Sequence, residues 1–169
     1  MISLAEAVKL KSILQSRYSE LLIERARVAF IVVEKGIEAK REGRTMVVVE
    51  QELDVVRKDI RTLDRLVYEA NVQNTVTFQG EELTLVEAIE LAKQLRAEVN
   101  AIKHFAASEK EDMQYGYGDN VAMVKVALFE PEHYRQKAQE LERQAHKLSN
   151  LVNAKNYEVQ INFDDSNYM

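Results

Sequence analysis

The chain has 169 residues, 46% hydrophobic and 30% charged, with five Gly, one Pro, no Cys and a net charge of −5. That length suits a single domain with a sizeable core, and the scarcity of helix breakers points to long helices rather than to a sandwich or a disordered chain. The absence of cysteine excludes a disulfide scaffold and thiolate metal sites, the acidic balance argues against nucleic acid as a partner, and no run reaches the ~18 apolar residues of a membrane span.

Met1-Ile2-Ser3-Leu4-Ala5-Glu6 has neither a basic leader nor an apolar run of signal-peptide length, so a soluble, cytoplasmic protein is expected. Ser3-Leu4-Ala5-Glu6 reads as a capping box that opens a first helix, about 3–28. Its Leu4, Ala7, Leu14, Tyr18, Leu21 and Val28 keep a three-four rhythm, widened by Leu10, Ile13 and Leu22. The branched runs 28–33 and 46–49 flank a polar, Gly-containing segment, and two readings stay open: a short hairpin, or the ends of two helices.

The strongest signal is Val49, Leu53, Val56, Ile60, Leu63, Val67, Ala70 and Asn74, a heptad seam with charged residues between, which predicts a second helix over about 47–74. Thr75-Val76-Thr77-Phe78 then alternates as a strand, Gln79-Gly80 offers a turn, and Glu81-Glu82-Leu83 can return. Thr84-Leu85-Val86-Glu87 is a second capping box, opening a third helix over about 85–110 with Leu85, Ala88, Ala92, Leu95, Val99, Ile102 and Ala106 in heptad register. The Tyr115-Gly116-Tyr117-Gly118 stretch breaks the helix, and a strand is expected over 121–128. Pro131 suits the first turn of a fourth helix, about 131–155, with Tyr134, Ala138, Leu141, Ala145, Leu148 and Val152 restoring the spacing. Tyr157, Val159, Ile161 and Phe163 fall on one side of an alternating segment, predicting a strand over 157–163.

Short connections make successive helices antiparallel neighbours. The expected fold is mainly α: one domain, an up-down bundle of long antiparallel helices with short β elements at its two ends. Segments 75–83 and the C-terminal strand are expected at one end, and 28–49 and strand 121–128 at the other.

Leu4-Ala5-Glu6-Ala7, Ala70-Asn71-Val72-Gln73-Asn74, Gly80-Glu81-Glu82-Leu83-Thr84 with Glu87-Ala88, and Asn156-Tyr157-Glu158-Val159 resemble the septicolysin-like family of small bacterial proteins. The chain differs from that family's pattern in the apolar 28–33 and 46–49 runs, at Tyr157, where Trp is usual, and at 115–118. The resemblance implies a helical protein without an assigned activity, and the family name suggests cytolysis. It supplies no catalytic residues to carry across.

Chemistry finds little support. His104, His133 and His146 are the three histidines. Glu130-Pro131-Glu132-His133 has the Glu-x-x-His spacing of di-iron bundles, but that architecture needs two such pairs and further inward carboxylates. Glu142 and His146, four apart, read as a surface pair, and His104 as a residue flanking the third seam. The Tyr-Gly repeat leaves a helix and enters a strand, the reverse of a phosphate loop, and no serine sits in a Gly-x-Ser-x-Gly elbow. Asn71, Asn74, Asn100, Asn150, Asn153 and Asn156 read as helix caps or as register-fixing amides. Lys35, Lys40, Arg41 and Arg44, interleaved with Glu34, Glu38 and Glu42, read as a solvated charged loop. The expectation is therefore a non-enzymatic structural or interaction protein with no catalytic residue, cofactor or metal, self-associating through helix faces or β edges. A membrane-acting protein using 28–33 and 46–49 is the alternative, and a metal-binding bundle built on Glu130 and His133 the third.

Overall fold

The computed structural model describes residues 1–40, 42–114 and 123–168. Among these residues the order of elements is β1 (Ile2–Ser3), α1 (Leu4–Val28), α2 (Met46–Gln73), β2 (Thr75–Phe78), β3 (Glu81–Thr84), α3 (Leu85–Ala106), β4 (Glu111–Gln114), β5 (Met123–Val126), α4 (Pro131–Glu158) and β6 (Gln160–Ile161). The fold is mainly helical, with three antiparallel two-stranded sheets, β1–β6, β2–β3 and β4–β5. The chain divides into two compact units, Met1–Asn74 with Lys155–Met169, and Thr75–Ala154.

In the first unit α1 and α2 form an antiparallel hairpin. Lys11 pairs with Asp64 at 2.6 Å and Arg17 with Glu52 at 3.0 Å, so positions that rise along one helix meet positions that fall along the other. Arg44, just before α2, reaches both Glu24 and Glu52 at 2.8 Å, and its hydrogen bond holds the Glu52 carboxyl below the usual carboxylate range. The seam beneath these pairs is the predicted one. Leu53, Val56, Leu63, Val67 and Ala70 are buried and Ile60 half-buried, while on α1 Leu4, Leu10, Leu14 and Leu21 are fully covered. Burying each such leucine is worth about 1.5–3 kcal/mol, which supplies the stability that single helices of this length lack. Ile13, read as part of the α1 stripe, is exposed instead, because it lies off the face that Leu10 and Leu14 define.

The caps explain the boundaries. Ser3 Oγ accepts from Glu6 N at 3.2 Å, the Glu6 carboxylate accepts from Ser3 N at 2.7 Å, and these bonds draw the Glu6 carboxyl below its ordinary range. Asn74 closes α2, its Nδ2 donating to Ala70 O at 2.8 Å. Between α4 and β6, Val159 O accepts from Leu4 N at 2.8 Å, and β1 pairs with β6 in the register Ile2 to Ile161. Val159, Ile161 and Phe163 are buried, and further along the tail Tyr168 Oη donates to Asp59 Oδ2 at 2.6 Å.

The open reading of 28–33 and 46–49 resolves to helix ends rather than a hairpin, and two further expectations about this unit are corrected. Val28 ends α1, residues 29–33 lack regular structure, and Met46 to Val49 are the first turn of α2, because Thr45 Oγ1 accepts from Val48 N and caps a helix there. The strand expected over 157–163 is only Gln160–Ile161, since α4 continues through Glu158 and carries Tyr157 on an exposed helical surface. Asn156 is accordingly inside α4 rather than capping it, with its Oδ1 buried and without a hydrogen-bond partner among the described residues.

In the second unit β2 and β3 pair from Thr75–Thr84 to Phe78–Glu81, around a turn in which Gln79 and Gly80 both have positive φ, 53° and 85°. Positive φ at both central residues is the hairpin geometry whose twist matches the strands. Val76, Phe78 and Leu83 face inward, and Thr84 ends the strand and caps α3 with Glu87 in the second capping box. Helices α3 and α4 run antiparallel, as Arg96 bonds to Ser149 Oγ while Arg135 donates to Ala106 O at 3.2 Å. Leu85, Ala88, Ala92, Val99 and Ile102 are buried on α3 and Ala145, Leu148 and Val152 on α4, with Leu95 and Leu141 half-buried.

The third helix ends at Ala106 and not near Lys110, and the strand expected over 121–128 is observed as Met123–Val126, with 121–122 outside the described residues. Its partner, Glu111–Gln114, had no strand signal of its own. Asp and Glu are poor strand formers, and the pairing to β5 overrides that preference.

Candidate functional site

Where α3 stops, its last turn is fully capped. Ala107 N donates to Lys103 O at 3.0 Å, Ser108 Oγ to His104 O at 2.7 Å, Ser108 N to Phe105 O at 3.2 Å, and Arg135 reaches Ala106 O. The chain then turns into the β4–β5 hairpin, whose base is closed by Ala127 N donating to Lys110 O at 2.9 Å. Lys110 Nζ also donates to Phe129 O at 3.0 Å and forms an ion pair with Glu130, which fixes the approach to α4. Beside these bonds Phe105, Phe129 and Tyr134 make a three-ring cluster with centroids 5.2–5.6 Å apart, in the edge-on and tilted geometries that aromatic rings prefer.

Between the end of α3 and the hairpin lies a cavity of about 640 Å³, within the size range of small-molecule sites. Phe105 and Phe129 supply its aromatic lining, Val126 and Leu128 its aliphatic side, and Glu109, Asp112 and Lys125 its charge. The register places Asp112 opposite Lys125 and Gln114 opposite Met123, so these four share one face of the hairpin. The other face carries Glu111, Met113, Val124 and Val126, and every residue of the two strands is exposed.

The structure does not assemble the expected titratable residues. Glu130 precedes the first residue of α4 and is held by Lys110, so it does not share a helix face with His133. Glu132 is engaged by Arg135 and Gln136, and the first of these bonds lowers its pKa. The exposed His133 stands edge-on to Tyr134 at 5.6 Å. His104 lies against Phe105, the rings tilted by 44° with centroids 3.6 Å apart, and borders the cavity, while Glu142 and His146 share a surface depression with Asn100 and Lys103. Among the described residues no three His, Cys, Asp or Glu side chains gather as metal ligands. Asn100, Asn150 and Asn153 are exposed, Asn71 is half-buried, and Asn74 caps. Lys40 pairs with Glu38, Arg44 with Glu24 and Glu52, and both Arg41 and the Tyr115–Gly118 stretch lie outside the described residues.

Reading the sequence missed the cavity because one wall is β4, which has no strand pattern. The available signal was the placement of Phe105, Phe129 and Tyr134 around the ends of two helices. Among the described residues no helix is long and apolar enough to cross a membrane. No family model and no curated protein matches the chain. A solved structure of a conserved, functionally unknown protein from Corynebacterium diphtheriae is similar over 95% of this chain and 99% of that one, with a TM-score of 0.63 and 23% identity, a likeness of fold.

Proposed function

We propose that this is a non-enzymatic interaction protein that self-associates, with the β4–β5 hairpin as the contact. The observation that carries this reading is the apolar face of that hairpin: Met113, Val124 and Val126 are 50%, 43% and 48% exposed on a sheet of two strands. A two-stranded ribbon is marginal in water, and its outer edges offer unpaired main-chain groups to another strand. A second copy of the chain brings the same face and edge, which suits a two-fold contact. Light scattering over a concentration series is the test. A dimer or larger species is expected, Val124→Lys shifts it to monomer without loss of helix signal, and a wild type that stays monomeric throughout overturns the reading. The proposal keeps the septicolysin-like family as the relationship, since the four matching stretches fall at the start of α1, the end of α2, the β3–α3 junction and the end of α4. It also keeps the expectation that the two antiparallel helix pairs belong to one bundle.

A separate observation favours membrane action as the second reading. The α1–α2 connection exposes Phe30, Val32, Ile37 and, at the start of α2, Val47, with Val32 at 99%. Apolar side chains exposed close together in sequence are candidates for contact with proteins or lipid. Dye release from loaded vesicles, abolished when Phe30, Ile31 and Val48 are changed to Asp, supports this reading. Intact vesicles with the wild type remove it.

A further inference from the structure

The cavity at the end of α3 has a lining that selects for charge as well as shape. Its lining is partly aromatic: Phe105 and Phe129 meet edge-on at 5.2 Å, and Phe105 lies tilted against His104. Ring faces attract cations through their quadrupole. Its charged side chains are two carboxylates, Glu109 and Asp112, against one ammonium, Lys125. Every terminal carbonyl of α3 already has a donor, so the side chains are the groups a ligand can pair with there. Among the described residues the carboxylates are not consumed internally: Lys110, the nearest cation in sequence, is committed to Glu130, and Asp112 accepts a long bond from Gln114 Nε2 at 3.4 Å, with Lys125 opposite it on the second strand. Leu128, 98% exposed, stands at the rim as apolar surface that an occupant would cover.

We propose that this cavity binds a small organic ammonium ion with a flat apolar or aromatic body, the body lying on Phe105 and Phe129 and the ammonium directed to Asp112 and Glu109. Lys125 acts against the cation and sets selectivity rather than affinity. The cavity shares Val126 with the apolar hairpin face, while Asp112 and Lys125 belong to the opposite face.

The test is calorimetric titration of the full chain with phenethylamine and with 3-phenylpropionate, which share a ring and differ in the sign of the charge. Saturable binding of phenethylamine is expected, with the anion weaker by about three- to tenfold. Asp112→Asn narrows that ratio and Lys125→Gln widens it, each by about two- to fivefold for a charge pair at a partly open site. Both positions are exposed on the hairpin, and unchanged circular dichroism verifies that the fold is retained. The proposal is overturned if neither probe saturates, if the anion binds as well as the amine, or if the two variants leave the ratio where it was.

Discussion

Two of the small sheets make an instructive pair. β1–β6 joins only two residues from each end of the chain, yet Ile2, Ser3 and Ile161 are buried and the pairing is extended by Leu4 N to Val159 O. β4–β5 has four residue pairs and not one buried side chain. Hydrogen bonds to a strand largely replace hydrogen bonds to water, so the ladder contributes little net stability. The apolar area behind it decides: the short sheet is part of a core, and the longer one lies exposed at the surface.

Substitutions can break that contrast. The largest effect is expected at Ile161, where Ala removes a buried side chain and costs about 2–4 kcal/mol, read as a lower urea midpoint with unchanged slope. Ser3→Ala removes a cap and costs about 1 kcal/mol. Part of this dependence is visible in acid. Because hydrogen bonds from the Ser3 backbone and then its side chain depress the folded pKa of Glu6, their contribution is present above the ordinary glutamate range and is lost as pH falls through the lowered value. Ser3→Ala reduces that acid limb without abolishing it, because the backbone bond remains.

Tyr168→Phe frees the tail beyond β6 from Asp59 and costs about 1 kcal/mol, since the bond is charge-assisted but partly exposed. Burial, then the Asp59 hydrogen bond, raises the Tyr168 pKa. Its stabilisation is therefore complete below the ordinary tyrosine pKa of about 10 and is lost as pH rises through the folded value, an alkaline limb that the Phe variant lacks. The smallest effect is expected on the exposed sheet. Val124→Thr changes unfolding stability by less than about 0.5 kcal/mol while weakening self-association in the same sample, separating fold from contact.

How far the chain could be read in advance follows the range of the interactions. The seam from Val49 to Asn74, the two capping boxes, Pro131 at the start of α4 and the Gln79-Gly80 turn are written within a few residues of one another, and the structure has all of them. The errors lie where a segment's conformation depends on something distant. The strand expected over 157–163 shrinks to Gln160–Ile161, because α4 runs on through Glu158 and the residues that pair are those β1 reaches from the far end of the chain. Glu111 to Gln114 lack strand propensity but pair because Met123 to Val126 lie alongside. The cavity inherits the same difficulty: its aromatic residues are visible in the sequence, but its charged wall exists only once that hairpin closes.

What the sequence determined by itself was where helices begin, which of their faces are apolar and where α2 stops, since period, caps and turn residues act through local backbone geometry. What only the tertiary structure decided was the union of the two chain ends in β1–β6, the β4–β5 ladder and the lining of the cavity beside it. Those depend on closing long loops onto surface that becomes apolar and continuous only after the helices have packed.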